Sequence, residues 1–235
     1  MQQPSNSPPA DEPRLTPLNL KRWSGGTWVP ETPGEVNGFQ GFSQDTRLLQ
    51  AGDVFVALRT RQRDGHDFLE QAEAAGADAA LVEFFNARSN LPQLVVSSPL
   101  QAFQKIAYAL RSSFRRPVVG ITGSCGKTTT KELLGTILGE SALRTRGNLN
   151  NTIGVPLTLS RLDGAHHQYA VVEAGINEPG EMQILANMIE NPEDLTKCSE
   201  GRRFRLQRQE CEVAESLGRP GHGSETRGCV DEEKI

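Results

Sequence analysis

The chain has 235 residues with 25 Lys and Arg against 29 Asp and Glu, a formal net charge of −4. This length predicts one or two domains. The charge balance excludes the strongly basic composition typical of nucleic-acid-binding proteins, so we expect no nucleic-acid partner. No apolar run approaches about 18 residues, and the N-terminus lacks the features of a secretory signal, so we expect no membrane insertion. The four cysteines form no CxxC pair, which favours a reducing cytoplasmic compartment.

Composition divides the chain into three stretches. Residues 1–13 are rich in Pro, Ser, Asn and Gln and predict a disordered leader. Residues 14–190 have the composition of a globular protein. Residues 191–235 hold 18 charged residues and three of the four cysteines, without the sustained period of a helix or a strand. They predict a disordered tail, either native or produced by a shifted reading frame or a misjoined end.

The globular stretch predicts an α/β fold, in which short apolar strands alternate with amphipathic helices. Predicted strands cover 54–58, 79–82, 94–96 and 117–121, and predicted helices cover 66–77, 99–114 and 130–138. The sequence RRP at 115–117 predicts a hinge, because proline disfavours helix in the residue before it. We therefore expect a small α/β domain at 14–114, the first part of a P-loop-type parallel-sheet domain at 115–190, and then the tail.

The strongest chemical signal is the glycine-bearing turn between the strand at 117–121 and the helix at 130–138. Glycines let backbone N–H groups converge on an anion, and a helix N-terminus adds partial positive charge. Lys127 can reach terminal phosphates, and the Thr128 hydroxyl can bind Mg²⁺. The strict Walker spacing fails, since Ile121 stands where that pattern has glycine. The candidate nucleotide-binding residues of the turn are Thr122, Gly123, Ser124, Cys125, Gly126, Lys127, Thr128 and Thr129.

Several segments, in this order along the chain, resemble the Mur ligase family of peptidoglycan synthesis. Upstream, SQDTR (43–47), GDVFVAL (52–58) and DGHDF (64–68) are similar to the family's uridine-nucleotide-binding domain. The loop GITGSCGKTT (120–129), the segment GNLNNTIGVP (147–156) and the strand YAVVEAG (169–175) are similar to its ATP-binding domain. The resemblance covers about residues 15–190. It implies a UDP-substrate domain at 14–114 and a partial ATP-binding domain at 115–190.

The resemblance implies an ATP-dependent amide ligase, and it is greatest to the member that joins D-alanyl-D-alanine to UDP-N-acetylmuramoyl-tripeptide. ATP would phosphorylate the terminal carboxylate of the tripeptide, and the amine of the dipeptide would attack the resulting acyl phosphate. The implied cofactors are ATP and Mg²⁺, the implied partners are the two substrates, and we expect a cytoplasmic monomer.

The resemblance also assigns roles to individual residues. Lys127 and Glu173 are the catalytic candidates, with Lys127 on the γ-phosphate and Glu173 binding Mg²⁺ beside Thr128. Asn150 and Asn151 join the candidate nucleotide-binding residues. The candidate substrate-binding residues are Ser43, Asp45, Arg47 and Thr152.

The sequence is also compatible with other functions and with structural roles for some of these residues. The family's later metal-binding histidine and carbamylated lysine have no counterpart here, which leaves a non-catalytic remnant that binds nucleotide or UDP-substrate. A sibling Mur ligase that adds a diamino acid is a further candidate. Structural interpretations also stand beside the functional ones: Glu173 as a solvated strand end, His66 as a helix-start residue, and Ser43 with Arg47 as a turn cap.

Overall fold

The computed structural model describes residues 15–31, 36–60 and 62–190. The predicted leader at 1–13 and the predicted tail at 191–235 lie outside these residues. The helices are α1 (Pro17–Ser24), α2 (Leu69–Ala74), α3 (Pro99–Ser113), α4 (Lys127–Leu138), α5 (Gly154–Leu159) and α6 (Glu181–Ile189). The strands are β1 (Thr27–Val29), β2 (Gly41–Ser43), β3 (Asp53–Val56), β4 (Ala79–Val82), β5 (Gln93–Val95), β6 (Val118–Ile121), β7 (Ala142–Arg144) and β8 (Tyr169–Glu173). These elements confirm the α/β fold.

The first sheet has the strand order β1-β5-β4-β3-β2. Strands β2 to β5 run parallel, and β1 pairs antiparallel with β5 at one edge. Residues of β3 and β4 are buried because helices cover both faces of the sheet. Val54 and Leu81 belong to the core shared with α1 and α3, whereas Phe55 and Ala80 belong to the core shared with α2.

The second sheet has the order β6-β8-β7, with all its strands parallel. The register places Ile121 beside Glu173, so the loop after β6 and the end of β8 lie at the same edge of the sheet. In the described residues β6 pairs with β8 alone, and Val119 on it is 40% exposed. In open α/β sheets ligands bind at the carboxyl ends of the strands, which is where the loop after β6 and the end of β8 lie.

Helix α3 contributes to the cores of both sheets. Phe103 and Ile106 pack in the first core, whereas Ala107 and the following Phe114 pack in the second. Leu157 of α5 in turn reaches the first core. The domain boundary at 115 stays a prediction, and the two regions that it would separate share this helix.

Several element boundaries differ from the sequence-based prediction. Helix α4 begins at Lys127 and not at Thr130, because Gly126, with a φ of 77°, already turns the chain into the helix. The helix predicted at 66–77 is a 3₁₀ turn (Gly65–Phe68) followed by the short α2. Elements α1, β1, β2, β7, α5 and α6 were not predicted. No helix in the described ranges combines the length and apolar content that crossing a membrane requires.

Candidate nucleotide-binding site

The turn between β6 and α4 is an exposed loop built for close approach to its backbone. Gly123 and Gly126 have φ angles of 147° and 77°, which residues with side chains rarely adopt. Among the described residues no side-chain hydrogen bond caps the N-terminus of α4, so none of them competes with an anion for the N–H groups of its first turn. The hydroxyl of Thr122 is buried without a hydrogen-bond partner in the described part of the chain. The loop therefore has the properties of a phosphate site.

Lys127 lies across this loop. Its Nζ donates to the carbonyl oxygen of Gly123 at 2.6 Å, which curls the side chain back over the turn that precedes it. An ammonium has three donors, and this bond uses one of them. The ammonium charge is thus held against the backbone of the loop.

The carboxylate of Glu173 is the centre of the site. It ends β8 and is only 2% exposed. The Thr128 hydroxyl lies 3.2 Å from each of its oxygens, and the side-chain amide of Asn150 donates to Oε1 at 2.9 Å. The Lys131 ammonium lies 3.3 Å from Oε2. Burial acts to raise the pKa of this carboxyl, but the hydrogen bonds from Asn150 and Lys131 outweigh it and hold the pKa below its ordinary value.

Neighbouring backbone groups fix this arrangement. The N–H of Glu173 donates to the Thr145 hydroxyl at 2.9 Å, and the N–H of Gly175 donates to the Asn150 carbonyl at 2.7 Å. A Cβ at position 175 would lie 3.0 Å from the Asn150 side chain, so glycine allows this close approach. The segment that carries Asn150 is therefore attached directly to the end of β8.

Some residues predicted for the site lie at the loop, and others make contacts elsewhere. Lys127, Thr128, Asn150 and Glu173 lie around the loop. Asn151 has a structural contact, since its Oδ1 accepts from the N–H groups that begin α5, at 3.1 and 2.8 Å. The Thr152 carbonyl accepts from the side chain of Gln104 on α3 at 3.0 Å. Ser124, Cys125 and Thr129 are exposed on the loop and the first turn of α4.

The predicted substrate residues form a turn at the end of β2. The Ser43 hydroxyl accepts from the Asp45 N–H at 3.2 Å and donates to its carbonyl at 2.9 Å. The Arg47 guanidinium pairs with both carboxylate oxygens of Asp45, and its hydrogen bonds lower the pKa of Asp45 to about 2. The Arg47 side chain is 83% exposed. Ser43 and Asp45 therefore have a structural role in the turn, while Arg47 can be reached by a ligand.

His66 is a buried histidine with both ring nitrogens engaged. Its Nε2 accepts from the Glu83 N–H at 2.9 Å, so Nδ1 carries the proton and donates to Asp64 at 2.6 Å. The ring also stacks on Phe84 at a centroid distance of 4.2 Å. These contacts fit the structural interpretation of His66, because they fix the 3₁₀ turn against the end of β4.

Lys131 is the site residue that the sequence analysis missed. It stands four positions after Lys127 and three after Thr128, a spacing that places residues on the same side of a helix. That spacing was the available signal. Lysine is rarely buried unless it is paired, so an exposed position was the default expectation.

The described residues contain no group of three or more His, Cys, Asp or Glu side chains that could hold a metal ion. Mg²⁺, however, is commonly bound by one or two protein oxygens together with substrate phosphates and water. Ligand oxygens at neighbouring corners of a Mg²⁺ octahedron lie about 2.9 Å apart. The 3.2 Å between the Thr128 and Glu173 oxygens is close to that separation, so this pair fits a metal bound together with a nucleotide.

Comparison with known proteins agrees with this geometry. A family model described as "Mur ligase family, catalytic domain" matches residues 39–112, and one described as "Mur ligase middle domain" matches residues 121–192. The chain belongs to the Mur ligase family. The second match begins at Ile121, the last residue before the candidate phosphate loop (residues 122–126), and includes Glu173.

Curated Mur ligases resemble the chain over a common region. UDP-N-acetylmuramoyl-tripeptide–D-alanyl-D-alanine ligase of Escherichia coli is 44% identical over 155 residues, covering 63% of this chain and 34% of the relative. The ligase of the same name from Synechocystis is 42% identical over 148 residues, covering 61% of this chain and 32% of the relative. The chain thus spans about a third of the length of these relatives.

Solved structures of Mur ligases resemble the described fold. MurF from Acinetobacter baumannii is 36% identical with a TM-score of 0.68, covering 74% of this chain and 39% of that one. MurF ligase from Thermotoga maritima, solved in complex with ADP, is 35% identical with a TM-score of 0.55, covering 63% and 35%. These likenesses confirm the family resemblance found in the sequence.

Proposed function

We propose that the chain provides the UDP-substrate domain and the first part of the ATP-binding domain of a Mur ligase that joins D-alanyl-D-alanine to UDP-N-acetylmuramoyl-tripeptide. The observation that carries the proposal is the buried Glu173 carboxylate beside Thr128, at the foot of the phosphate loop. The relatives of 42% and 44% identity are named for this reaction. We further propose that the protein acts as a cytoplasmic monomer.

The proposed chemistry needs positioned charge. A carboxylate is a poor electrophile, and ATP supplies the phosphoryl group that turns one of its oxygens into a leaving group. Loop N–H groups and Lys127 would hold the phosphates, since backbone donors and an ammonium can neutralise their charge. Thr128 and Glu173 would hold Mg²⁺, which neutralises further phosphate charge when bound. The incoming amine is then required only to meet an activated carboxyl group in the right orientation.

The N-terminal region would bind the uridine nucleotide part of the substrate. We propose Arg47 as its contact, because the guanidinium is exposed and offers donors beyond those used by Asp45. Ser43 and Asp45 would support it by fixing the turn. Thr152 lies where α3 meets the segment that carries Asn150, so we propose it beside the reacting end of the substrate.

Binding of nucleotide and UDP-substrate without ligation is the second candidate. It is favoured by one observation, that the chain spans only about a third of the relatives named as ligases. Under this alternative the phosphate loop, Thr128 and Glu173 would keep their proposed contacts. The two candidates therefore differ only in the formation of product.

The experiment measures binding and ligation with the same full chain. ATP is titrated calorimetrically in MgCl₂, and the UDP-linked product is measured by mass spectrometry after incubation with both substrates. Lys127→Ala should weaken ATP binding, whereas Lys105→Ala on the exposed side of α3 should not. ATP-dependent product supports the ligase, and ATP binding without product supports the second candidate. Failure of the wild-type chain to bind ATP would contradict both.

A further inference from the structure

Lys131 is a fully buried cation under the phosphate loop. Its side chain is 1% exposed on the inner side of α4. Taking an ammonium out of water is costly, and a buried charge is tolerated when it is paired and hydrogen-bonded. The position therefore demands specific partners, and the structure provides three.

Each donor of the Lys131 ammonium has an oxygen within reach. Nζ donates to the Gly147 carbonyl at 3.2 Å, and lies 3.3 Å from Oε2 of Glu173 and 3.4 Å from Oε1 of Glu132. An ammonium has three N–H groups, so these partners account for all of them. Lys131 is thus placed to act on a ligand through its neighbours and not by direct contact.

Lys131 and its partners Glu173 and Gly147 lie in three separate parts of the site. Glu173 ends β8, Gly147 opens the segment that leads to Asn150, and Lys131 itself lies one helical turn after Lys127. Asn150 holds one carboxylate oxygen of Glu173 and Lys131 holds the other, while Thr128 lies equally far from both. Asn150 and Lys131, one on each oxygen, therefore fix the orientation of the carboxylate together with the Thr128 hydroxyl.

We propose that Lys131 is a positioning residue, whose ammonium orients the Glu173 carboxylate toward Thr128 and attaches the 147–150 segment to α4. A metal–nucleotide complex would then meet oxygens that are already in place. This inference rests on the proposed nucleotide site. A group that orients a metal ligand commonly changes metal affinity or activity by about 10- to 100-fold when it is removed.

A merely structural role makes a different prediction. Loss of a structural contact would lower thermal stability and weaken all nucleotide binding alike. Loss of a positioning contact would weaken the nucleotide binding that depends on the metal. It would not change the contacts that the loop backbone makes with the phosphates. The ratio of ATP affinity in Mg²⁺ to ATP affinity in EDTA separates the two roles.

The test uses the full chain and calorimetric titration with ATP, in MgCl₂ and in EDTA. Lys131→Met should reduce the Mg²⁺-to-EDTA affinity ratio about 10-fold or more, with the EDTA affinity within about threefold of wild type. Lys105→Met, the same substitution at an exposed position of α3, should leave the ratio unchanged. In a Glu173→Gln background, Lys131→Met should reduce the ratio no further, because the lysine acts through the carboxylate.

Lys131→Met leaves the Glu173 charge without a cation, so melting curves and a second variant accompany it. Lys131→Arg keeps the charge but spreads its donors over a planar fork, and its affinity ratio should lie below that of wild type. A wild-type ratio in both variants, or equal losses in Mg²⁺ and EDTA, overturns this inference and leaves the nucleotide site standing. Absence of ATP binding by the wild-type chain overturns the proposed function and this inference with it.

Discussion

Arg111 connects the two regions of the described chain, and its removal should destabilise both. The side chain is 3% exposed. Its Nε donates to the Ile189 carbonyl at 2.8 Å, and its Nη1 donates to the Phe114 carbonyl at 3.2 Å. Ile189 is the last residue of α6, so the guanidinium places positive charge where a helix leaves unpaired carbonyls. The perturbation is Arg111→Met, which keeps most of the aliphatic stem.

The expected cost follows from these two bonds. A hydrogen bond from a charged donor contributes about 1.5–3 kcal/mol, and Met leaves both carbonyls without this partner. The free energy of unfolding should therefore fall by about 3–5 kcal/mol. For a chain of this size each kcal/mol lowers the melting temperature by about 2–4 °C, so the expected decrease is about 6–20 °C.

Urea unfolding can be followed by two signals that report different parts of the chain. Tryptophan fluorescence reports the first region, because Trp23 and Trp28 are the two tryptophans and both contact the first core. Circular dichroism reports the helices of both regions. Because α3 packs in both cores, the two midpoints should decrease together in Arg111→Met. The control is Arg88→Met, the same substitution at an exposed loop position.

Two results would refute this reasoning. A decrease no larger than that of Arg88→Met would show that the buried hydrogen bonds contribute nothing measurable. A decrease seen by circular dichroism alone would show that the regions 14–114 and 115–190 unfold independently, as separate domains do.

The remaining predictions concern the two candidate sites and the effect of pH. Glu173→Gln should raise the Mg²⁺ concentration needed for half-maximal ATP binding, and a Mg²⁺ titration identical to that of wild type would exclude the carboxylate as a metal ligand. Arg47→Ala should weaken binding of the UDP-linked substrate about 10-fold, and calorimetry beside a melting curve tests this, since a purely structural Arg47 would change the melting curve alone. Burial acts to raise the pKa of Asp64, but hydrogen bonds from His66 and Arg59 outweigh it and lower that pKa to about 2. Asp64 therefore stabilises the fold above the unfolded pKa of about 4, and this contribution is lost as the pH falls toward 2. Asp64→Asn should accordingly reduce the free energy of unfolding at pH 6, with the difference from wild type shrinking between about pH 4 and pH 2; a constant difference in urea titrations would contradict it.

Sequence reasoning succeeded where a pattern is local. Strand β4 has the bounds that its apolar run AALV predicts, and α3 ends within one residue of the end predicted from its apolar stripe. The glycine-bearing turn lies between a strand and a helix, as its glycines and the preceding apolar run predict. In each case the signal is contained in a few neighbouring residues, so the chain itself carries the information.

The elements that were missed have a different origin. Strands β1, β2 and β7 have three residues each, too few to display a period. All six residues of α5 are buried, so it lacks the polar face that marks an amphipathic helix. Lys131 and Arg111 are buried through partners distant in sequence, and tertiary contacts of this kind leave no local pattern. The roles of Asn151 and Ser43 likewise depend on the backbone groups that they meet.

The open edge of β6 has a consequence for how the chain behaves in solution. In the described residues its outer row of N–H and C=O groups faces no other strand, and the side chain of Val119 on this strand is exposed. Such an edge can template the addition of a further strand, including one from a second molecule at high concentration. The phosphate loop starts directly after Ile121, the last residue of β6. A strand added to β6 would therefore contact the start of the loop. Concentration-dependent assembly and nucleotide affinity should therefore be measured in the same samples.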